Sequence, residues 1–493
     1  MSDELEFAPG DAARWTWSAA DVRQLGHVVV DLIAEHLTHI ADQPVFRPFP
    51  NDRAQAMLTE VLPEQGRDVE AIIQRFAEDV MPYPLGNGHP RFAGWVNGPP
   101  VVVSVFAEAL AAAMNPSVAG GNHAATYVER QVLEWLKQLI GFPADGMGLL
   151  VSGGSAATQI ALACARHRAT GGSVRANGVQ PEHGRLLVYT SQEGHSAILK
   201  AVELLGLGRS ALRSVPCDAA YRINVEALAS MLAADLAAGQ RPMAVAVSAG
   251  TVNTGAIDPL RDVRALCDHH QIWMHVDGAY GAPAILDPRY TDELVPLASA
   301  DSVAIDAHKW LYVPYDAGAV LVRDTELMRD TFTLVPPYLK EDSDPDGVTW
   351  LRWFSEYGLE QTRPFRALKI WMALQHHGRA GYAQSVARDN RLADHLAALI
   401  DQQPELELVA HNLSIVCLRA VPAGVPAAEL NEFNRRLLRN IQLGGRAFLS
   451  GTELAGRFVL RACLINPRTT VADIEQILST INSESRRQRD AAR

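Results

Sequence analysis

Cysteine is scarce in this chain: five of 493 residues, Cys164, Cys217, Cys267, Cys417 and Cys463. An odd number so widely scattered forms neither a disulfide framework nor the paired spacing of a zinc site. Small buried hydrophobes in a protein of the reducing cytoplasm are the expected reading. Long apolar runs are missing too; none reaches eighteen residues, so no transmembrane helix is expected. Positive charge is in deficit, with 44 Lys and Arg against 56 Asp and Glu and a net charge of −12. That balance argues against nucleic acid or an anionic membrane as a principal partner. The opening residues Met1-Ser2-Asp3-Glu4-Leu5-Glu6 are acidic and lack the basic stretch and apolar core of a signal peptide.

What is present is an ordinary globular composition, 48% hydrophobic and 20% charged, in a chain long enough for two or three domains. Residues 1–85 read as a helical arm. Over 18–40, Ser18 and Asp21 resemble a capping box, and Val22, Leu25, Val29, Leu32, Ile33 and Leu37 share one stripe. A proline-rich stretch (Pro44, Pro48, Pro50) and a second helical segment near Val69–Val80 come next. Such an arm needs the rest of the protein, or a partner subunit, to cover its apolar side.

Residues 86–385 read as a large α/β domain. Apolar runs at Leu149–Val151, Leu186–Tyr189, Met243–Val247, Ile272–Val276, Val303–Ile305 and Ala319–Val322 alternate with helical patterns. That alternation predicts a mostly parallel central sheet covered on both faces. A long helix is expected over about Arg363–Leu399. Residues 386–493 read as a smaller α/β domain with strands near Ser414–Arg419 and Arg457–Leu464, ending in a frayed polar tail from Ser483.

Ligands of parallel sheets bind at the carboxyl ends of the strands. Asp277 and Asp306 both end apolar runs, and Lys309 comes just after in Asp306-Ala307-His308-Lys309-Trp310. A lysine that forms a Schiff base with an aldehyde, and a carboxylate that keeps a pyridine nitrogen protonated, are the pair that pyridoxal 5'-phosphate (PLP) catalysis needs. Ser152-Gly153-Gly154-Ser155 joins a strand to an Ala-rich helix. It reads either as a plain turn or as a phosphate cradle at a helix N-terminus. His195 lies just past a strand, where it can stack on a flat ring or simply cap a helix. His308 can reach the phosphate or the substrate. His269, His270 and His275 read as structural or exposed.

The order Gly-Gly-Ser, His195, His275-Val276-Asp277-Gly278-Ala279-Tyr280 and Asp306–Trp310 resembles the group II PLP-dependent decarboxylases, which include the aromatic-L-amino-acid, histidine and glutamate decarboxylases. The resemblance begins at His89-Pro90-Arg91-Phe92, passes through Glu129, Trp135 and Gly250-Thr251, and reaches Phe458-Val459-Leu460-Arg461. It implies the fold type I, aspartate aminotransferase-like PLP-dependent transferase architecture and a homodimer. It also implies roles. Lys309 carries the cofactor, Asp277 partners the pyridine nitrogen, His195 stacks on the ring and Ala279 packs on its other face. Gly154, Ser155 and His308 hold the phosphate, Thr251 lies near the phenolic oxygen, and Arg461 lies near the substrate carboxylate.

Within Val335-Pro336-Pro337-Tyr338-Leu339-Lys340, Tyr338 matches the loop tyrosine that returns a proton to give the amine; phenylalanine there marks relatives that make aldehydes. Trp95 stands where an aromatic-pocket residue is expected, but Val96-Asn97-Gly98 and Asn115-Pro116-Ser117-Val118 depart from the aromatic enzymes. The expected reaction is decarboxylation of an L-amino acid, with tryptophan, tyrosine or DOPA as the first substrates to consider. A branched aliphatic or polar amino acid, or aldehyde synthesis, is the alternative. A non-catalytic PLP-fold regulator would be expected to carry a basic DNA-binding module, which the short arm does not offer.

Overall fold

The structure, a computed structural model, describes residues 15–334 and 352–491. Its strands are β1 (Phe92–Ala93), β2 (Met147–Val151), β3 (Leu186–Ser191), β4 (Leu212–Val215), β5 (Arg241–Ser248), β6 (Trp273–Asp277), β7 (Ser302–Asp306) and β8 (Gly318–Val322). The series continues with β9 (Leu406–Asn412), β10 (Ile415–Ala420), β11 (Phe448–Leu454) and β12 (Arg457–Cys463).

Seven strands form the large sheet in the order β2-β8-β7-β6-β5-β3-β4. The pairings β7–β6, β6–β5, β5–β3 and β3–β4 are parallel, while β8 runs antiparallel to both β2 and β7. Near-continuous apolar strands are what burial on both faces demands, and Val303, Ala304, Ile305, Val320, Leu321 and Val322 are wholly buried. The edge strand β4, Leu-Arg-Ser-Val, has two adjacent polar residues at its centre and is too short to announce itself in the sequence.

The second sheet has the order β1-β11-β12-β10-β9. Its β1 comes from the other end of the chain, in register Phe92↔Phe448 and Ala93↔Leu449. Phe92 stacks on Phe448 with ring centroids 4.9 Å apart, and Trp95 lies 5.4 Å from the same ring. A strand of two residues leaves no periodic signal, so the sequence does not announce this closure.

The first helix, Ala19–His39, begins with the Ser18/Asp21 capping box, but this chain buries none of its residues. A further helix at Asn51–Thr59, which the sequence reading did not single out, follows the proline-rich stretch; Pro50 sits just ahead of it, where a missing N–H costs nothing. The long helix runs Ala367–Asp401 and is broken at Gly378 (φ 62°). The expectation of a frayed tail from Ser483 is corrected. Helix Val471–Ala491 continues through it, with Glu484 and Ser485 buried. The tail is ordered because it docks: Gln488 donates to the Phe433 carbonyl at 2.9 Å, and Arg446 pairs with Glu484 at 3.2 Å.

A buried ion pair secures β2. Arg363 meets Glu129 and also donates to the carbonyls of Val118 and Leu150 at 2.8 and 2.6 Å. Glu129 in turn accepts from the Leu150 amide at 3.3 Å. Removing one member strands the other charge in the core. Glu129→Ala should therefore lower stability by about 3–5 kcal/mol, as read from the shift of the urea unfolding curve.

Candidate active site

The carboxyl ends of the large sheet open into a cavity of about 480 Å³. At its floor is a one-turn helix, Ala307–Trp310, which continues directly from β7. It is held from behind. Trp310 is fully buried, stacks on Tyr280 at 5.0 Å and donates from Nε1 to Asp389 at 3.0 Å. The Tyr280 hydroxyl shares a 2.6 Å hydrogen bond with Ser414, which lies between β9 and β10. Both modules thus fix the turn that carries Lys309.

Lys309 Nζ lies 2.9 Å from Asp306 Oδ2. Burial pulls the ammonium down, but the charges of Asp306 and Asp277 outweigh it and leave the lysine above its ordinary value. Asp277 ends β6 and accepts from the Ala279 amide at 3.1 Å, which fixes its carboxylate at the cavity wall. The Gly-Gly turn does open a helix, Gly154–Ala169. A β-carbon on Gly154 would stand 3.0 Å from Ala279 Cβ and 3.3 Å from Asp306 Oδ2. Glycine suits the close approach there, and the helix start, Gly153, Gly154 and exposed Ser155, lines the cavity, where the amides of a helix N-terminus suit an anion.

His195 satisfies both readings offered for it. Nδ1 accepts from the Ala197 amide at 3.1 Å and so caps helix Ser196–Leu204, while the residue lines the cavity. That bond places the proton of a neutral ring on Nε2. His308 is arranged likewise: Nδ1 accepts from the Ala317 amide at 3.1 Å and Nε2 lies 3.6 Å from Asp306. Burial lowers its pKa, so at neutral pH the ring is uncharged. His275, buried between Ser302 and Thr158, is structural.

Thr251 and Arg461 stand one layer behind the lining. The Thr251 hydroxyl pairs with Thr254 at 2.9 Å and accepts from the Ala256 amide at 3.1 Å. Arg461 donates to the carbonyls of Trp95 and Asn253 at 2.8 and 3.0 Å. Among the described residues it meets no carboxylate, and its Nη2 is buried without a partner. It therefore holds Trp95, a half-exposed wall of the cavity with left-handed backbone (φ 47°). Tyr338 falls outside the described residues.

One lining residue, Tyr315, escapes the sequence reading, and another, Asp306, is placed by it without its role. The Tyr315 hydroxyl donates to Asn97 Oδ1 at 2.8 Å, and its ring lies 4.7 Å from that of His308. A tyrosine six residues past a lysine has no motif value until the loop is folded back. Asp306 reads in the sequence only as a strand end, although its place three residues before Lys309 on a helical turn is an ion-pair spacing.

Pyridoxal phosphate fits this donor set. A lysine, a carboxylate at a neighbouring strand end, a glycine-walled helix start and a neutral histidine surround one cavity. The Asp306 Oδ1 atom is buried there with no hydrogen-bond partner among the described residues. Residues 50–421 match the family described as the pyridoxal-dependent decarboxylase conserved domain. An aromatic-L-amino-acid decarboxylase of Bacillus atrophaeus is 35% identical, covering 94% of this chain and 96% of its own. A phenylacetaldehyde synthase of Arabidopsis thaliana is 27% identical, covering 94% and 96%. Among solved structures, the Oryza sativa TDC with PLP and tryptamine superposes with a TM-score of 0.88 at 26% identity, covering 98% of this chain and 99% of that one. Sequence, fold and donor set agree, and the chain belongs to the pyridoxal-dependent decarboxylases, enzymes that use pyridoxal phosphate to remove CO2 from an amino acid.

Proposed function

We propose that the substrate is an L-amino acid with an aromatic side chain, released as its amine. The cofactor, when bound, supplies an electron sink for the carbanion that loss of CO2 leaves. Lys309 holds its aldehyde, Asp277 keeps a proton on its ring nitrogen, and His195 and Ala279 enclose its faces. Gly154, Ser155 and His308 receive its phosphate, and Thr251 lies toward its phenolic oxygen. Trp95 provides an aromatic wall for the side chain. Arg461 fixes that wall, and its spare Nη2 donor gives it a second role toward the substrate carboxylate. Tyr338 delivers a proton to the carbanion.

The observation that carries the reading is the convergence of Lys309, Asp277 and the glycine cradle on one cavity. Trp95 favours the aromatic class, as does the Bacillus atrophaeus relative. Release of CO2 from each of the twenty amino acids tests it: tryptophan, tyrosine or DOPA should lead, and a branched aliphatic or polar leader would displace the aromatic assignment. Trp95→Ala should raise KM for an aromatic substrate by about tenfold, the loss of one aromatic contact of about 1.4 kcal/mol.

Tyr338 favours the amine over the aldehyde. Tyr338→Phe should lose amine formation and gain oxygen consumption with release of peroxide and ammonia; unchanged amine output removes Tyr338 from the mechanism.

The assembly we propose is a homodimer in the cytoplasm, with the N-terminal arm clasping the partner. Its support is apolar surface left bare by one chain: Val22, Val29 and Val30 on the first helix, and Phe106, Leu110 and Met114 along helix Val102–Met114. Among the described residues no helix is long and apolar enough to cross a membrane. Sedimentation of the purified chain tests the dimer; a monomer at micromolar concentration would refute it.

A further inference from the structure

We propose that Asp306 is a positioning residue that holds Lys309 as an ammonium whenever the lysine is not joined to the cofactor, and so places cofactor capture under the control of pH. The inference rests on the assignment of Lys309 as the aldehyde-binding lysine and concerns what sets its readiness.

Asp306 is 2% exposed, and its two oxygens are unequal. Oδ2 takes the Lys309 ammonium at 2.9 Å, whereas Oδ1 is buried with no hydrogen-bond partner among the described residues. The carboxylate thus has one strong partner, and a lysine that gave up its proton would leave a buried carboxylate uncompensated, which is costly. The groups around Lys309 reinforce this. Asp277 at the end of β6 adds a second negative charge; Cys463 at the end of β12 is a buried thiol whose pKa is raised, so it stays neutral. His308 is neutral at physiological pH, and Tyr315 beyond it, pushed up to about 12, is uncharged. Among the described residues that line the cavity, no other cation offsets the two aspartates.

Capture requires the neutral amine. Its nitrogen adds to the aldehyde carbon, the C=O bond breaks, the oxygen leaves as water with both amine hydrogens, and a C=N bond remains. Each pH unit below the lysine's titration point cuts the competent fraction about tenfold. Replacement of Asp306 by asparagine keeps the shape and removes the charge, so burial then dominates and favours the neutral amine.

The test is the rate at which full-length apoprotein, mixed with pyridoxal phosphate across a pH series, acquires its visible absorption band. In the wild type the rate should climb about tenfold per pH unit from neutrality. Asp306→Asn should shift that profile to lower pH and load at least about tenfold faster at pH 7. Pyridoxal without its phosphate should give a profile of the same shape, because the lysine and not the phosphate sets it. Superimposable wild-type and Asp306→Asn profiles, or uniformly slower loading with no shift, overturn the proposal. Should Asp306→Asn fail to fold, the wild type alone decides. Reductive methylation of apoprotein with formaldehyde, read by peptide mass, should modify Lys309 only at a pH at or above that which modifies exposed Lys200. Modification of Lys309 at lower pH than Lys200 overturns it. A visible band that survives Lys309→Ala would instead remove the lysine assignment itself.

Discussion

Lys309→Ala should abolish the visible band of the purified protein and lower decarboxylation by three orders of magnitude or more, roughly the size of losing a catalytic nucleophile. The expectation comes from how specifically the lysine is placed. Its helical turn is anchored by Trp310 against Tyr280 and Asp389, and its amine is held by Asp306 at the start of that turn and feels the charge of Asp277. Among the described residues no second lysine lines that cavity to substitute for it. Alanine also takes from buried Asp306 its one close cation, so some stability should be lost with the chemistry; circular dichroism and an unfolding curve separate the two. A variant that keeps both the band and the activity would sink the assignment.

The second large effect is expected at Asp277. Asp277→Ala leaves the lysine in place and removes the carboxylate that would stabilise a protonated ring nitrogen. Decarboxylation should fall on the order of 10²–10³-fold, the scale of deleting one preorganised electrostatic group, while the visible band still forms. Single-turnover measurement of CO2 release on loaded enzyme checks it. The contrast between the variants is the sharper result: Lys309→Ala removes the band, and Asp277→Ala keeps the band but not the rate. If Asp277→Ala retains wild-type turnover, the carboxylate is structural, and its bond to the Ala279 amide is its whole purpose.

Much of the site was legible because parallel strands advertise themselves. Val303-Ala304-Ile305 can only be a buried strand, and the residues just after it stand at a carboxyl end, so Asp306 and Lys309 were placed by pattern alone. His195 was readable as to position but not as to office, since helix capping and cavity lining ask for the same residue at the same place. The polar pair Tyr315 and Asn97 was not legible, because their partnership spans 218 positions. The same holds for Arg461, whose partners Trp95 and Asn253 are brought to it only by closure of the second sheet. The two-residue β1 is the limiting case: its pairing with β11 depends on tertiary context, not on any propensity of Phe92-Ala93.

That short strand bears on the order in which the protein is made. Residues 92–93 leave the ribosome more than three hundred positions before Phe448 and Leu449, their sheet partners. Until those arrive, the Trp95 wall has neither Ser450 nor Arg461 to fix it, and Ser414 is not yet set against Tyr280 behind the lysine turn. A nascent chain can complete the large sheet early, yet it cannot close the cavity until β10, β11 and β12 have been made. Assembly of the cavity therefore waits on the second sheet rather than on the first.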